Sequence, residues 1–293
     1  MSPSPIKKIE SKKASIGVHL SIAGGIDKSI GRAIELNCGA FQIFSRNPRT
    51  WKVTPVSDET IANFIKERTK AEIKTVAIHA SYLINLSSPD KELFNKSLNL
   101  FEKELEISEA IKADVFVVHP GSYKDRDLDF ATKQVSEAIK IVRGRLKSAN
   151  TTVLIENTAG AGSQTGARLE SIEDIIKATK GLNTGLCFDT CHGFVSGYPL
   201  KTKKDAEKLI STIDEKIGLK SLKLIHLNDS KGDVGSKLDR HEDIGKGFIG
   251  NAGLGAFISD KRIAEVPLIL ETPKESIDDD LRNLKAVYKI RKV

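Results

Sequence analysis

Eight short, nearly uninterrupted apolar runs punctuate this chain, and helix-like stretches separate most of them. The runs are IGVHL (16–20), AFQIFS (40–45), TVAIHA (75–80), DVFVVHP (114–120), TVLIENT (152–158), TGLCFDT (184–190), LKLIHLND (222–229) and VPLILET (266–272). None shows the polar–apolar alternation of a strand wetted on one face. Strands of a parallel sheet, buried on both faces, read this way. Between the runs, Ser88-Pro89 is expected to cap and open a helix through about Lys112, with Leu93, Leu98, Phe101, Leu105 and Ile111 at roughly helical spacing. Segments 58–70, 127–148, 170–180, 203–217 and 277–290 carry the same amphipathic pattern. Eight strands alternating with helices predict an α/β fold, a TIM-type (β/α)8 barrel in one domain; a doubly wound open sheet is the competing topology.

At 293 residues the chain has the length that such a barrel needs, typically about 250 residues. Residues 1–14 (MSPSPIKKIESKKA) are polar and basic without apolar periodicity. They read as a flexible basic N-terminal tail ahead of a barrel domain at 15–293. No run approaches the ~20 apolar residues of a membrane span, and no secretion-type apolar segment follows the start, so no membrane association is expected. Cys38, Cys187 and Cys191 are too few, and odd in number, for a disulfide framework, which suits a reducing compartment. A formal charge of +7 is compatible with a nucleic-acid partner, although a lysine-rich composition alone yields the same figure.

Burying an imidazole or a carboxylate is costly unless the group is paired or binds a metal, so the polar residues within the apolar runs are informative. His79, His119, Glu156, Asp189, His226 and Glu271 each stand at the end of a run, from the third to the eighth. In a (β/α)8 barrel the strand C-termini converge on the face that holds the active site. His192, three residues past Asp189 in DTCH, and Asp239 and His241 in LDRH lie just beyond strand ends. Taken singly, a strand-end histidine is more often structural and a rim carboxylate is usually a salt-bridge partner. The same coincidence on six consecutive strands weakens that reading for the set. Five of the six histidines would then join four carboxylates in one site. Nitrogen and oxygen donors without thiolate suit Zn²⁺, with Mn²⁺ or Fe²⁺ as substitutes, and nine donors exceed what one tetrahedral zinc takes. His19, also at a strand end, is expected to stand behind the ligands. Cys187 alternates with buried strand residues and should pack as a small hydrophobe, whereas Cys191 should be oxidisable but not a ligand.

These segments resemble the endonuclease IV family of apurinic/apyrimidinic (AP) endonucleases. The likeness runs from about Ile16 to Glu271 and is carried by GVHLSIAGG (17–25), HASYLINL (79–86), HPGS (119–122), IENTAGAGS (155–163), FDTCHGFVSGY (188–198), HLNDSK (226–231), LDRHEDIGKGFIG (238–250) and PLILET (267–272). The resemblance implies a TIM barrel with three Zn²⁺ per chain. It places the first on His79, His119 and Glu156. Glu156 would bridge to the second, which also takes Asp189, His226 and Glu271, and the third would sit on His192, Asp239 and His241. It makes Glu156, His119 and Glu271 the expected catalytic residues. Arg49 in NPRTW and Tyr82-Leu83 in SYLINL match the family's groove-probing loops and are the expected DNA contacts.

The implied partner is double-stranded DNA containing abasic sites, and the implied reaction is zinc-dependent hydrolysis 5′ to the abasic deoxyribose, leaving 3′-hydroxyl and 5′-deoxyribose phosphate ends. Four carboxylates against three Zn²⁺ leave a formal surplus of about +2, which suits an anionic phosphodiester. A monomer is expected, cytoplasmic and nucleoid-associated in a bacterium, and nuclear or in another DNA-containing compartment otherwise. Two rivals remain. A sugar isomerase on a similar barrel would need only Glu156, Asp189, His226 and Glu271 around one metal. A non-catalytic damage-binding protein would have no reason to keep nine ligands.

Overall fold

The computed structural model describes residues 15–291. The proposed 1–14 tail therefore lies outside the described residues. Eight parallel strands follow in chain order: β1 (Ile16–Val18), β2 (Ala40–Phe44), β3 (Thr75–His79), β4 (Val115–Val118), β5 (Thr152–Glu156), β6 (Thr184–Asp189), β7 (Leu222–His226) and β8 (Leu268–Leu270). Each falls within one of the apolar runs. Their hydrogen-bonded order is β1-β8-β7-β6-β5-β4-β3-β2, and a parallel bridge between His19 and Gln42 joins the two ends. The amide of Leu20 donates to the Gln42 carbonyl at 2.7 Å across that seam. The sheet closes into a barrel, and the open-sheet alternative is excluded.

Nine α-helices surround it among the described residues: α1 (Lys28–Glu35), α2 (Asp58–Lys70), α3 (Lys91–Ala110), α4 (Leu128–Arg145), α5 (Leu169–Ala178), α6 (Thr190–Ser196), α7 (Lys203–Lys216), α8 (Gly250–Ile258) and α9 (Ile277–Ile290). The α3 start differs from expectation. Asp90, not Ser88, is the cap, its carboxylate accepting from the Leu93 amide at 2.9 Å. Ser88 instead accepts from the Asp90 amide at 3.2 Å and shapes the approach. Helices α1, α6 and α8 were not expected from the sequence. Each carries glycine, and α8 (GNAGLGAFI) has no polar face to make a periodicity visible. Its Gly253 answers to close packing: a Cβ there would lie 1.6 Å from the Leu200 carbonyl oxygen.

Side chains alternate across each strand, which divides the core in two. One set, including Ile16, Val18, Phe41, Ile43, Val153 and Ile155, faces outward and packs under the helices. The other set is smaller: Ala40, Ala77, Val115, Val117, Leu154, Cys187, Leu224 and Ile269 fill the barrel interior. Gly17 lies where β1 runs closest to β2, and a Cβ there would stand 1.7 Å from the Ala40 carbonyl oxygen. The inward parity positions the site. Two residues beyond Ala77, Val117, Leu154, Cys187, Leu224 and Ile269 come His79, His119, Glu156, Asp189, His226 and Glu271. All six therefore point into the barrel mouth, one layer above the interior core.

Candidate metal centre

Glu156 stands at the centre, fully buried at the end of β5, and its two oxygens face different neighbours. His79 Nε2 and His119 Nε2 approach Oε2 at 3.1 and 2.9 Å. His226 Nδ1 lies 2.8 Å from Oε1 and 3.4 Å from Glu271 Oε2. Asp189 caps the short helix α6, its Oδ1 accepting from the His192 amide at 2.8 Å, so the same turn that ends the strand swings His192 over the mouth. His192 Nε2 is 3.2 Å from Asp239 Oδ1. His241 Nε2 is 3.6 Å from Asp189 Oδ2 and 4.0 Å from Asp239 Oδ1. Asp239 and His241 arrive on a loop held by a two-residue antiparallel pairing of Asp229–Ser230 with His241–Glu242.

All nine expected donors thus gather in one place, and they sort into three groups. His79, His119 and Glu156 form one; Glu156, Asp189, His226 and Glu271 a second; His192, Asp239 and His241 a third; within each, the donor atoms lie within 4.8 Å of one another. Bonds of ~2.0–2.1 Å to a tetrahedral zinc put its ligand atoms roughly 3.4 Å apart, close to these spacings. His241 Nε2 is buried without a hydrogen-bond partner, as expected of a nitrogen meant for an ion. The residues fit a divalent metal cluster.

Neighbouring acceptors set which imidazole nitrogen faces inward. Nδ1–H of His79 donates to the Ala80 carbonyl at 2.8 Å, that of His192 to the Asn157 carbonyl at 3.0 Å, and that of His241 to the Glu271 carbonyl at 3.0 Å. Each leaves Nε2 for the centre. His226 is reversed: its Nε2–H donates to Gln42 Oε1 at 2.9 Å and presents Nδ1.

Gln42 is a residue the sequence reading missed. It is fully buried on β2 and also donates to Glu271 Oε1 at 2.6 Å and to His19 Nδ1 at 2.9 Å. His19 stands behind Glu271, 3.4 Å from Oε1. Asn157 and Asn228 were missed as well. Asn157 pairs with the Asp189 backbone in both directions, and Asn228 donates to Asp189 Oδ2 at 2.7 Å while accepting from the Glu271 amide at 2.8 Å. Inward parity on β2 was a signal for Gln42; amides just past strand ends gave none.

The field favours a cation. Burial pushes the Glu156 carboxyl up, yet the charges and hydrogen bonds of His119 and His226 hold it well below the usual range. Glu271 behaves alike, with burial outweighed chiefly by the charge of His226. Burial opposes charge on His192, but Asp189, Asp239 and Glu156 raise it to about 10. His226 is likewise raised well above its ordinary value against the pull of burial, while in His19 burial wins and lowers it. Protons on these imidazoles balance the carboxylates as bound cations would.

Cys187 packs among the apolar residues of the barrel interior, and burial pushes its thiol up to about 12. Cys191 is buried too, and burial also raises it. Each sulfur lies within 4.8 Å of two candidate donors, Glu156 and His226 for Cys187, Asp189 and His241 for Cys191. Neither is a ready thiolate. Arg49 and Tyr82 are exposed at the rim, Leu83 half-buried beside them, and the Tyr82 ring lies 5.2 Å from that of Phe44 and 6.4 Å from that of His79.

Comparison with known proteins bears on what this arrangement does. Residues 30–289 match the family described as the xylose isomerase-like TIM barrel. The chain is 44% identical over 262 residues to a probable endonuclease 4 of Halothermothrix orenii, covering 89% of this chain and 94% of the relative. The crystal structure of endonuclease IV from Thermus thermophilus superposes with a TM-score of 0.85 at 32% identity, over 94% of this chain and 98% of that one. A D-tagatose 3-epimerase-like protein superposes at 0.71 with 19% identity, over 94% of this chain and 96% of that one, a likeness of fold alone.

Proposed function

The chain belongs to the endonuclease IV family, on the xylose isomerase-like TIM barrel, and is a hydrolase of the nuclease class; from that premise we propose that it repairs DNA by cutting 5′ to abasic sites with three zinc ions. The products would be a 3′-hydroxyl and a 5′-deoxyribose phosphate. The observation that carries this reading is the gathering of nine nitrogen and oxygen donors into three groups around Glu156. His79, His119 and Glu156 would hold one ion, Glu156, Asp189, His226 and Glu271 a second, and His192, Asp239 and His241 a third. Bound there, zinc supplies water with its pKa lowered from 15.7 towards ~7 and positive charge for the phosphodiester oxygens.

The protein's own part is orientation and selection. Glu156, by offering one oxygen to each of two groups, fixes their spacing, and His119 and Glu271 flank it at the open mouth. Gln42 locks the His226 ring and one Glu271 oxygen at once. A nucleotide without its base lacks stacking and pairing, so extruding it costs less than extruding an intact one. Arg49 and Tyr82-Leu83, on two loops at the rim, would enter the minor groove and fill the gap. Replacing Arg49 or Tyr82 with alanine should weaken abasic-site binding, and unchanged binding and cleavage would count against insertion.

The barrel at 15–293 is taken as one domain acting as a monomer wherever DNA is kept. Among the described residues no helix is long and apolar enough to cross a membrane. The test is cleavage of an abasic duplex, lost on chelation and restored by Zn²⁺. Aldose–ketose interconversion without DNA cleavage would instead favour an isomerase that uses the second group alone.

A further inference from the structure

Arg46 and Glu104, neither of them one of the nine metal donors, form an ion pair inside the protein with side chains 7% and 1% exposed. Arg46 begins the loop that carries Arg49, and Glu104 lies in the middle of α3. Their contacts reach beyond the pair. Arg46 Nη1 donates to Glu104 Oε1 at 3.0 Å. Nη2 donates to the carbonyls of Thr50 and Lys52, the latter at 2.9 Å, and Nε donates to Lys52 at 3.3 Å. The guanidinium thus closes the 46–52 loop on itself, with Arg49 at the outer turn. Glu104 Oε2 accepts from the Ser81 amide at 2.9 Å, at the start of the turn that bears Tyr82 and Leu83. Ser81 Oγ then donates to the carbonyl of Pro48, next to Arg49, at 2.7 Å. Two rim loops that are distant in sequence are tied to one carboxylate and to each other.

A buried ion pair is a weak source of net stability, because desolvating both charges offsets most of their attraction, and apolar residues of similar size often serve as well. Its geometry is another matter: the planar fork of arginine fixes directions that an apolar contact leaves free. We propose that Arg46, Glu104 and Ser81 form a positioning latch that holds the Arg49 loop and the Tyr82-Leu83 turn at a fixed separation, so that both enter DNA together at an abasic site. The latch rests on the functional reading above. It governs recognition of the damaged site and leaves the chemical step to the metal donors.

The test is the double variant Arg46→Met/Glu104→Gln, which removes both charges and keeps an acceptor for the Ser81 amide. It is compared with wild type for melting temperature, zinc content, and kcat and KM on a duplex with one abasic site. Melting and zinc content should stay close to wild type, with kcat within about threefold and KM raised about 10- to 100-fold, the scale of a small misplacement of binding groups. Affinity for intact duplex should hold, so discrimination falls. A stable double variant with wild-type KM overturns the latch. Should the double variant fail to fold, Ser81→Ala removes the direct bond between the loops, along with the long 3.3 Å acceptor that Ser81 Oγ offers the Leu83 amide. Its KM should rise about three- to tenfold, the equivalent of one hydrogen bond, and an unchanged KM overturns the latch. A wild-type protein that does not distinguish abasic from intact duplex overturns the functional reading and the latch with it, whereas discrimination in the wild type with unchanged KM in the variants overturns the latch alone.

Discussion

Asp229→Asn is the substitution whose cost follows most directly from the hydrogen bonds. The Asp229 carboxylate is fully buried and accepts only from backbone amides. Oδ1 takes those of Ser230 at 2.8 Å and Ile249 at 3.0 Å, Oδ2 takes those of Gly245 and Gly247 at 3.0 Å, and the Gly250 amide is shared at 3.3 and 3.2 Å. An asparagine fits the space but must turn its NH₂ towards one of those pairs. In either orientation two backbone donors face another donor, while Gly250 keeps the remaining oxygen. Each buried donor left unmet costs about 1–3 kcal/mol, and the bonds that survive lose their charge assistance, so a loss of about 3–5 kcal/mol is expected. At 2–4 °C per kcal/mol in large domains that is a fall of roughly 6–20 °C in melting temperature. Melting should be followed by circular dichroism on chelator-treated protein, so that bound metal adds nothing to the folded state. The loop that Asp229 gathers continues from Asp239 and His241, so the same variant should also hold the third ion least well. A loss below about 1 kcal/mol would refute the reasoning, because it would mean those amides find other partners.

Three further outcomes are expected. His119→Ala should purify with one zinc fewer and lose about 10³-fold in kcat/KM, as the loss of one metal's charge stabilisation implies; a full metal complement with wild-type turnover contradicts the assignment. Gln42→Leu frees the His226 ring and a Glu271 oxygen, so affinity for the metals should drop about 10- to 100-fold in competition with a chelating dye. Equal affinities would show that the amide only fills space. Gly17→Ala drives a Cβ to 1.7 Å from the Ala40 carbonyl oxygen, and backbone on a neighbouring strand cannot step aside. The variant should lose more than about 3 kcal/mol in urea unfolding, and a wild-type midpoint would mean the β1–β2 seam is looser than it stands here.

What the sequence made legible tracks the range of the interactions involved. Each barrel strand lies inside its apolar run because burial on both faces is a local property of a few consecutive side chains, as in TVLIE of β5. Helices α2 and α9 keep their expected limits, Asp58–Lys70 and Ile277–Ile290, since Ser57 and Ser276 cap them locally. Strand-end donors were legible for the same reason: His79 and Glu156 keep the inward parity of Ala77 and Leu154. The unseen parts depend on distant partners. Glycine in α8 hides its helix because Gly253 answers to Leu200, about 50 residues earlier in the chain. Gln42 acquires its role from His226 and Glu271, and Asp229 from amides of a later loop, neither of which leaves a periodicity. Arg46 and Glu104 belong to separate elements that only the closed barrel brings together.

The most direct measurement uses zinc-loaded protein and a duplex oligonucleotide carrying one tetrahydrofuran abasic analogue, with the product ends identified by mass. The analogue cannot undergo β-elimination, so any cut must be hydrolytic. A single cut 5′ to the site that leaves a 3′-hydroxyl, abolished by chelation and absent from intact duplex, is the expected result. An intact oligonucleotide after incubation with protein shown to hold its metals would contradict it.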